Sequence, residues 1–343
     1  MLGLGRVVFV EGGRRVSQPT STEYSLEGKR VWVAGHRGMV GGAIVRQLQA
    51  RGLTVLTAPR EACDLRDAAA VARWMEANRP DTVVIAAAKV GGILANDTYP
   101  VDFLQDNLLI QTNIIRSSFA NDVEKLLFLG SSCIYPKFAD QPITEDSLLT
   151  GPLEPTNEWY AIAKIAGIKL AQAYVKQYGC RYISAMPTNL YGPGDNFDLT
   201  SSHVIPALMR KAHQARVDGA AGFEVWGSGT PRREFLHVDD LARACVFLLE
   251  HYEGFEHINI GSGTDLPIRD LALEIARVVG CGEALTFDST KPDGTPRKLM
   301  SNARIAALGW TPEIPLKDGL ASTYQWFLEH ADALPERTTE MAR

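Results

Sequence analysis

Near its start the chain carries the run Val31-Trp32-Val33-Ala34-Gly35-His36-Arg37-Gly38-Met39-Val40-Gly41. Residues 31–34 are apolar and predict a short buried strand, and residues 42–50 continue as a predicted helix. Between them the glycines follow the spacing G-x-x-G-x-x-G, which lets the backbone turn tightly and approach a pyrophosphate at the helix N-terminus. A glycine pattern alone can mark only a turn, but between a strand and a helix it predicts a dinucleotide site formed by Gly35, His36, Arg37, Gly38, Met39, Val40 and Gly41.

The second predicted strand, at residues 53–57, indicates which dinucleotide binds. The acidic residue that would hold the ribose 2′-hydroxyl of NAD(H) is not cleanly present after it. Instead Arg60 follows the strand, and together with Arg37 it could grip a 2′-phosphate. We therefore predict NADP(H). The alternative is that Arg60 is a solvated loop residue and that Glu61 binds the ribose.

Apolar strands and helical segments alternate along the first half of the chain. Further strands are predicted at 82–87, 126–129 and 182–186, and helices at 67–78, 101–120 and 157–178. Because the strands are apolar at consecutive positions, they predict an α/β fold with a doubly wound parallel sheet that is covered on both faces.

After Pro187 the pattern is less regular. Residues 189–198 are rich in Gly, Pro, Asn and Asp and predict a loop. Short strands follow at 223–226, 234–238 and 258–260, with helices near 203–216, 239–250, 266–279 and 318–330. We predict a cofactor domain over 29–186 plus about 236–262, a smaller substrate domain over 187–235 plus 263–335, and an N-terminal extension over 1–28 that is mobile.

The composition excludes several classes of protein. The 343 residues carry 35 Lys and Arg against 40 Asp and Glu, a net charge of −5 that argues against a nucleic-acid surface. No apolar stretch approaches the ~20 residues of a membrane span. Residues 1–28 lack the apolar core of a signal peptide, which favours the cytoplasm. The cysteines are scattered without a C-x-x-C pair, which favours free thiols and no metal site: Cys63, Cys133, Cys180, Cys245 and Cys281.

Tyr160 and Lys164 are four residues apart on one face of a predicted helix. A lysine beside a phenol favours the phenolate, so the pair can exchange a proton with a carbonyl or an alcohol near neutral pH. Such a pair is common by chance. Downstream of a dinucleotide fold, and with Ser131 at the end of the fourth strand, it predicts the catalytic set of a short-chain dehydrogenase/reductase.

Eight segments between residues 29 and 330 together resemble the GDP-L-fucose synthase family, which consists of extended short-chain reductases. They are AAAKVGG (86–92), LGSSCIYPK (129–137), LEPTNE (153–158), YAIAKIAG (160–167), MPTNLYG (186–192), SHVIPAL (202–208), WGSGTP (226–231) and REFLHVDD (233–240). The resemblance implies epimerisation of GDP-4-keto-6-deoxy-D-mannose at C3 and C5, followed by reduction of C4 with NADPH.

The resemblance also implies roles for single residues. Cys133 and His203 match the family's catalytic cysteine and histidine, and both can exchange protons near pH 7. For the cofactor it implies Leu129, Gly130, Ser131, Ser132, Lys164, Pro187, Thr188, Asn189, Leu190 and His203. For the nucleotide sugar it implies Lys211, Trp226, Arg233 and Asp293. It further implies a homodimer through helices such as 101–120 and 157–178.

Two other interpretations remain open at this point. A relative of the same family could act on another GDP-sugar, such as a GDP-heptose derivative, since the loop motifs are shared. A non-catalytic NADP sensor on the same fold is disfavoured, because a sensor needs none of the five proton-handling groups.

Overall fold

The structure is a computed structural model that describes residues 23–198, 202–291 and 293–331, except for the side chains of residues 93 and 94. Its first half alternates strands and helices. In chain order these are β1 (Arg30–Ala34), α1 (Met39–Ala50), β2 (Thr54–Leu56), α2 (Ala68–Asn78), β3 (Thr82–Ile85), α3 (Ile93–Thr98), α4 (Pro100–Ala120), β4 (Lys125–Leu129), α5 (Glu158–Tyr178) and β5 (Arg181–Pro187).

Shorter strands and five further helices follow. They are β6 (Asn189–Tyr191), α6 (Val204–Val217), β7 (Glu224–Trp226), β8 (Arg232–His237), α7 (Val238–His251), β9 (Ile258–Ile260), β10 (Asp265–Pro267), α8 (Ile268–Val279), β11 (Thr286–Asp288), β12 (Arg297–Lys298), α9 (Ala303–Ala307) and α10 (Leu316–His330).

The central sheet has six parallel strands in the order β2-β1-β3-β4-β5-β9. The chain moves outward from β1 to β2 and then returns to the other side of β1 with β3. The strand order therefore reverses between β1 and β3, the place where open α/β sheets bind ligands at their carboxyl ends. The predicted doubly wound parallel sheet is confirmed.

Apolar packing covers both faces of this sheet. Alternate residues of one strand point to opposite sides, so that Val31 and Val33 belong to one core and Trp32 to the other. The first core is closed by α1 and α7, for example through Ile44. The second is closed by α2, α4 and α5. Because every central strand is buried on two sides, its sequence shows continuous apolar residues rather than alternation.

A second region lies beside the carboxyl ends of the central strands. Strand β8 pairs with β10, β12 and β6, and β7 pairs with β11. A third apolar core, which includes Met209, Ile275 and Phe327, joins α6, α8 and α10. The predicted loop over 189–198 is wrong in part, because β6 forms a parallel pair with β8 and is held by a partner more than forty residues away.

The end of the N-terminal segment is also different from the prediction. Tyr24 and Leu26 are buried in the first core. The Tyr24 hydroxyl donates to Glu124 Oε2 at 3.0 Å, and its backbone N–H donates to the Glu250 carbonyl oxygen at 2.9 Å. The expected mobile extension is therefore wrong for residues 24–26, while residues 1–22 lie outside the described residues. None of the helices in the described ranges is long and apolar enough to cross a membrane.

Candidate active site

A cavity of about 1480 Å³ lies at the carboxyl ends of β1, β3, β4 and β5. Its walls come from the glycine turn after β1, the segment after β3, the segment after β4 and the link between β5 and β6. All the residues predicted to contact the cofactor line this one cavity, although they come from six separate parts of the sequence. The parallel sheet brings them together because the carboxyl ends of its strands meet at one edge.

The glycine turn has no room for side chains at two of its glycines. Gly35 has φ +94°, and a Cβ there would lie 2.6 Å from the Ala87 backbone nitrogen. A Cβ on Gly41 would lie 2.1 Å from the Gly35 carbonyl oxygen. The turn therefore brings the backbone close to β3 and aims the N-terminus of α1 into the cavity. Within the described residues no side chain caps this N-terminus and no acidic residue occupies its first turn, which suits a diphosphate.

Arg37 and Arg60 both line the cavity and are both exposed, at 66% and 68%. Arg37 Nη1 lies 3.7 Å from a Glu61 carboxylate oxygen, and Arg60 Nε lies 3.6 Å from Asp64 Oδ2. Such exposed ion pairs contribute little free energy, so both guanidinium groups can exchange them for a phosphate. Glu61, the alternative ribose ligand, is not among the described residues that line the cavity.

Ser131, Tyr160 and Lys164 meet on the cavity wall below this turn. The Lys164 ammonium donates to the Leu129 carbonyl oxygen at 2.8 Å and lies 5.8 Å from the centroid of the Tyr160 ring. Burial lowers the pKa of Lys164 to about 8. Burial also raises the pKa of the Tyr160 phenol, and a hydrogen bond with Ser131 opposes this shift only partly. The raised pKa favours the protonated phenol, which suits the predicted role of Tyr160 as the acid.

Cys133 lies two residues beyond Ser131, in a single helical turn over Ser132–Ile134. Its backbone N–H donates to Ser131 Oγ at 3.4 Å, and the residue is only 8% exposed. Burial raises the pKa of the Cys133 thiol, while the positive charges of Lys298 and Lys164 lower it. Cys133 is thus a protonated thiol with the positive charges of Lys298 and Lys164 nearby.

Lys298 is a site residue that the sequence analysis did not single out. It lies on β12, where it pairs in register with Arg233 of β8, and its charge acts on both Cys133 and Arg233. A lysine in a two-residue strand belongs to no recognisable motif. Only the pairing of β12 with β8 brings Lys298 beside Cys133.

His203 is the N-terminal cap residue of α6 and lines the cavity. Its side chain is exposed at the cavity, and desolvation by the surrounding protein lowers its pKa. The ring is therefore neutral at pH 7 and has a free nitrogen lone pair with which to accept a proton.

The four residues predicted for the nucleotide sugar form a separate group next to this cavity. Lys211 Nζ lies 4.8 Å from the centroid of Trp226, which is 55% exposed. Asp293 Oδ1 accepts a 2.6 Å hydrogen bond from the Ser228 backbone and acts electrostatically on Arg233. Asp293 thus fixes the turn after Trp226. Lys298 connects this group to Cys133, because its charge interacts with both Arg233 and Cys133.

A buried polar network holds the loop that carries Ser131 and Cys133. The Tyr135 hydroxyl hydrogen-bonds His257 Nε2 at 2.9 Å and donates to Asn259 Oδ1. The Asn259 backbone N–H donates to Glu145 Oε1 at 3.0 Å. Burial lowers the pKa of His257 to about 4, so this ring is a neutral structural partner. No group of three or more His, Cys, Asp or Glu in the described ranges could hold a metal ion.

Comparison with known proteins agrees with this geometry. Residues 31–261 match the model of the NAD dependent epimerase/dehydratase family. GDP-L-fucose synthase 1 of Arabidopsis thaliana is 60% identical over 302 residues, which cover 88% of this chain and 94% of that protein. GDP-L-fucose synthase of Escherichia coli strain K12 is 57% identical over 314 residues, covering 89% and 98%. The crystal structure of a GDP-L-fucose synthetase from Naegleria fowleri bound to NADP has a TM-score of 0.82 at 31% identity, covering 89% of this chain and 95% of that one.

Proposed function

The chain belongs to the NAD dependent epimerase/dehydratase family, and we propose that it converts GDP-4-keto-6-deoxy-D-mannose to GDP-L-fucose. It epimerises the sugar at C3 and C5 and then reduces C4. The proposal rests above all on the loop after β4, which places Ser131 and Cys133 two residues apart and opposite Tyr160 and Lys164. The reductase set lines the cavity, and the epimerase acid follows it by two residues in the same loop and interacts electrostatically with Tyr160.

The cofactor is NADP(H), which supplies the hydride for C4. The N-terminus of α1 binds its diphosphate, and Arg37 and Arg60 bind its 2′-phosphate. The segments 129–132 and 187–190 line the cavity, and we assign them to the nicotinamide end of the cofactor. The second segment is held in place because Asn189 Nδ2 donates to the backbone oxygen of Glu234 at 2.9 Å.

Reduction at C4 requires a proton for the ketone oxygen. Tyr160 delivers it, since burial keeps the phenol protonated. Ser131 hydrogen-bonds the phenol and orients it toward the carbonyl. Lys164 is anchored on the Leu129 carbonyl and supplies positive charge beneath the site as the phenol loses its proton.

Epimerisation requires a base on one face of the sugar and an acid on the other. The C4 ketone acidifies the protons at C3 and C5, so a neutral imidazole is a sufficient base. His203 is held in that form, and Cys133 is held as a thiol, by burial in each case. We assign His203 as the first base and Cys133 as the first acid. The GDP diphosphate binds to Lys211 and Arg233, and Trp226 and Asp293 complete this part of the site.

We also propose the assembly and the division of the chain. Residues 29–186 plus about 236–262 hold NADP(H), and 187–235 plus 263–335 hold the nucleotide sugar. Two copies associate through α4 and α5, which pack against each other and leave Val101, Leu109, Trp159 and Ile162 exposed. The enzyme works in the cytoplasm, in keeping with its five free cysteines.

The test is turnover of purified GDP-4-keto-6-deoxy-D-mannose with NADPH, with the product identified by NMR. GDP-L-fucose formed in step with NADPH consumption supports the proposal. Consumption of NADPH only with a GDP-heptose derivative would assign the other sugar. Binding of NADPH without turnover of either sugar would indicate a sensor.

A further inference from the structure

Asp195 is a buried carboxyl group with an unused oxygen. It lies in the turn after β6 and is 8% exposed. Its Oδ1 accepts a 2.7 Å hydrogen bond from the backbone N–H of its neighbour Asn196. Its Oδ2 is fully buried and has no hydrogen-bond partner among the described residues. Burial raises the pKa of Asp195 to about 7.

The position of Asp195 connects it with the proposed cofactor site. Asp195 lines the same cavity as the glycine turn. The preceding Gly194 has φ +88°, and a Cβ on it would lie 3.6 Å from the Met39 Cα, the first residue of α1. The turn that carries Asp195 is thus packed against the helix N-terminus at which the diphosphate is proposed to bind.

A buried carboxyl oxygen destabilises a protein if no hydrogen-bond donor ever reaches it. Leaving a buried polar atom without a partner costs free energy, and more so for a charged atom. Native structures contain few such atoms, and those found in clefts are often functional. Asp195 therefore fits an acceptor that awaits a donor from a ligand.

The chemistry of the cofactor supplies a suitable donor. A carboxylate repels the diphosphate itself, but the diphosphate of a dinucleotide is flanked on both sides by ribose rings with hydroxyl groups. Carboxylates are the common partners of ribose hydroxyls in dinucleotide-binding folds.

We propose that the Asp195 carboxylate accepts a hydrogen bond from a ribose hydroxyl of the nicotinamide dinucleotide and so is a cofactor-binding residue. This inference rests on the proposed function only in taking NADP(H) as the ligand. It assigns a role to a residue that lies outside the glycine turn and outside the set of residues implied by the resemblance.

The experiment measures NADPH affinity by fluorescence titration, without any sugar nucleotide, in Asp195→Ala and Asp195→Asn. Alanine removes the acceptor and should raise the NADPH Kd about tenfold or more. Asparagine keeps the shape and an acceptor oxygen without the charge, and its Kd should lie between those of wild type and alanine. The matched control is Asp270→Ala, an exposed carboxyl in the first turn of α8 that is not among the described residues lining the cavity.

Two further measurements separate a binding role from a structural one. The Tm of ligand-free Asp195→Asn should equal or exceed that of wild type, because asparagine keeps the oxygen that accepts from the Asn196 N–H and removes only the oxygen without a partner. GDP affinity should stay unchanged. An unchanged NADPH Kd, a selective loss of GDP affinity, or a lower Tm with equal loss of both ligands would each overturn the proposal. None of these readouts depends on turnover, so failure of the proposed sugar chemistry would leave them intact.

Discussion

Tyr160 is the residue that we propose as the proton donor for reduction at C4. Tyr160→Phe removes the proton donor and keeps the ring beside Lys164, so NADPH oxidation should fall by about 10² or more. Exchange of the C3 and C5 protons with deuterated solvent should persist, because Cys133 and His203 remain. The control is Tyr178→Phe, at the far end of the same helix. Loss of exchange along with reduction would place Tyr160 in the epimerisation as well.

A substitution at Cys133 tests the epimerisation at C3 and C5. Serine has similar size but is a much weaker acid than a thiol, so Cys133→Ser should lose most deuterium incorporation at C3 and C5 while its NADPH Kd stays unchanged. With Tyr160 and Lys164 intact, the unepimerised ketone should be reduced instead to a GDP-6-deoxyhexose of the original configuration. Cys281→Ser, at a half-buried cysteine, is the control. Full epimerisation by the serine variant would show that Cys133 contributes to packing and not to the epimerisation.

At the residue scale, the sequence predicts the role of a side chain well when that side chain belongs to a motif. It predicts the role poorly when only the fold determines which groups surround the side chain. Ser131, Tyr160 and Lys164 follow from spacing after a recognised strand and on one helix face. Lys298 and Asp195 do not, because their surroundings come from β12 pairing with β8 and from a turn packed on α1.

At the element scale, the strands of the central sheet were predicted to within two residues because burial on both faces leaves an unbroken apolar run. Strands β6, β10, β11 and β12 were missed, since they are two or three residues long and are held by partners distant in sequence. Helix α1 begins at Met39 rather than at residue 42, because the glycines at 41 and 42 fit inside its first turns. A local sequence pattern shows neither the distant partners of a short strand nor the exact start of a helix.

The glycine turn and the loop after β2 line the same cavity, and their proposed role in phosphate binding predicts the cofactor preference. Replacing both Arg37 and Arg60 with Gln should weaken NADPH binding much more than NADH binding. Charge-assisted hydrogen bonds contribute about 1.5–3 kcal/mol each, so the ratio of the two Kd values should shift tenfold or more. Arg73→Gln, an exposed arginine on α2, should leave the ratio unchanged. Equal weakening of both cofactors would refute the assignment.

At the scale of the whole molecule, one cavity lies between a rigid parallel sheet and a second region with its own apolar core. The sheet edge carries the glycine turn, Ser131, Tyr160 and Lys164, whereas His203, Lys211 and Arg233 come from the second region. Epimerisation therefore needs both regions in register, and the Ile143 backbone helps to hold them. Its N–H donates to the Leu299 carbonyl oxygen at 2.8 Å, and its carbonyl oxygen accepts from the Ser301 N–H at 2.8 Å.

The exposed apolar face of α4 and α5 predicts the assembly of the molecule. Leu109 and Ile162 are exposed on two long helices that pack side by side, and a second copy would cover them in a four-helix bundle. A glutamate in such an interface is desolvated without a partner, so Leu109→Glu and Ile162→Glu should convert a dimer to a monomer in light scattering after size exclusion. Val217→Glu changes an equally apolar exposed position at the end of α6 and should stay dimeric. A monomeric wild-type protein, or dimers in all three variants, would show that this face has another role.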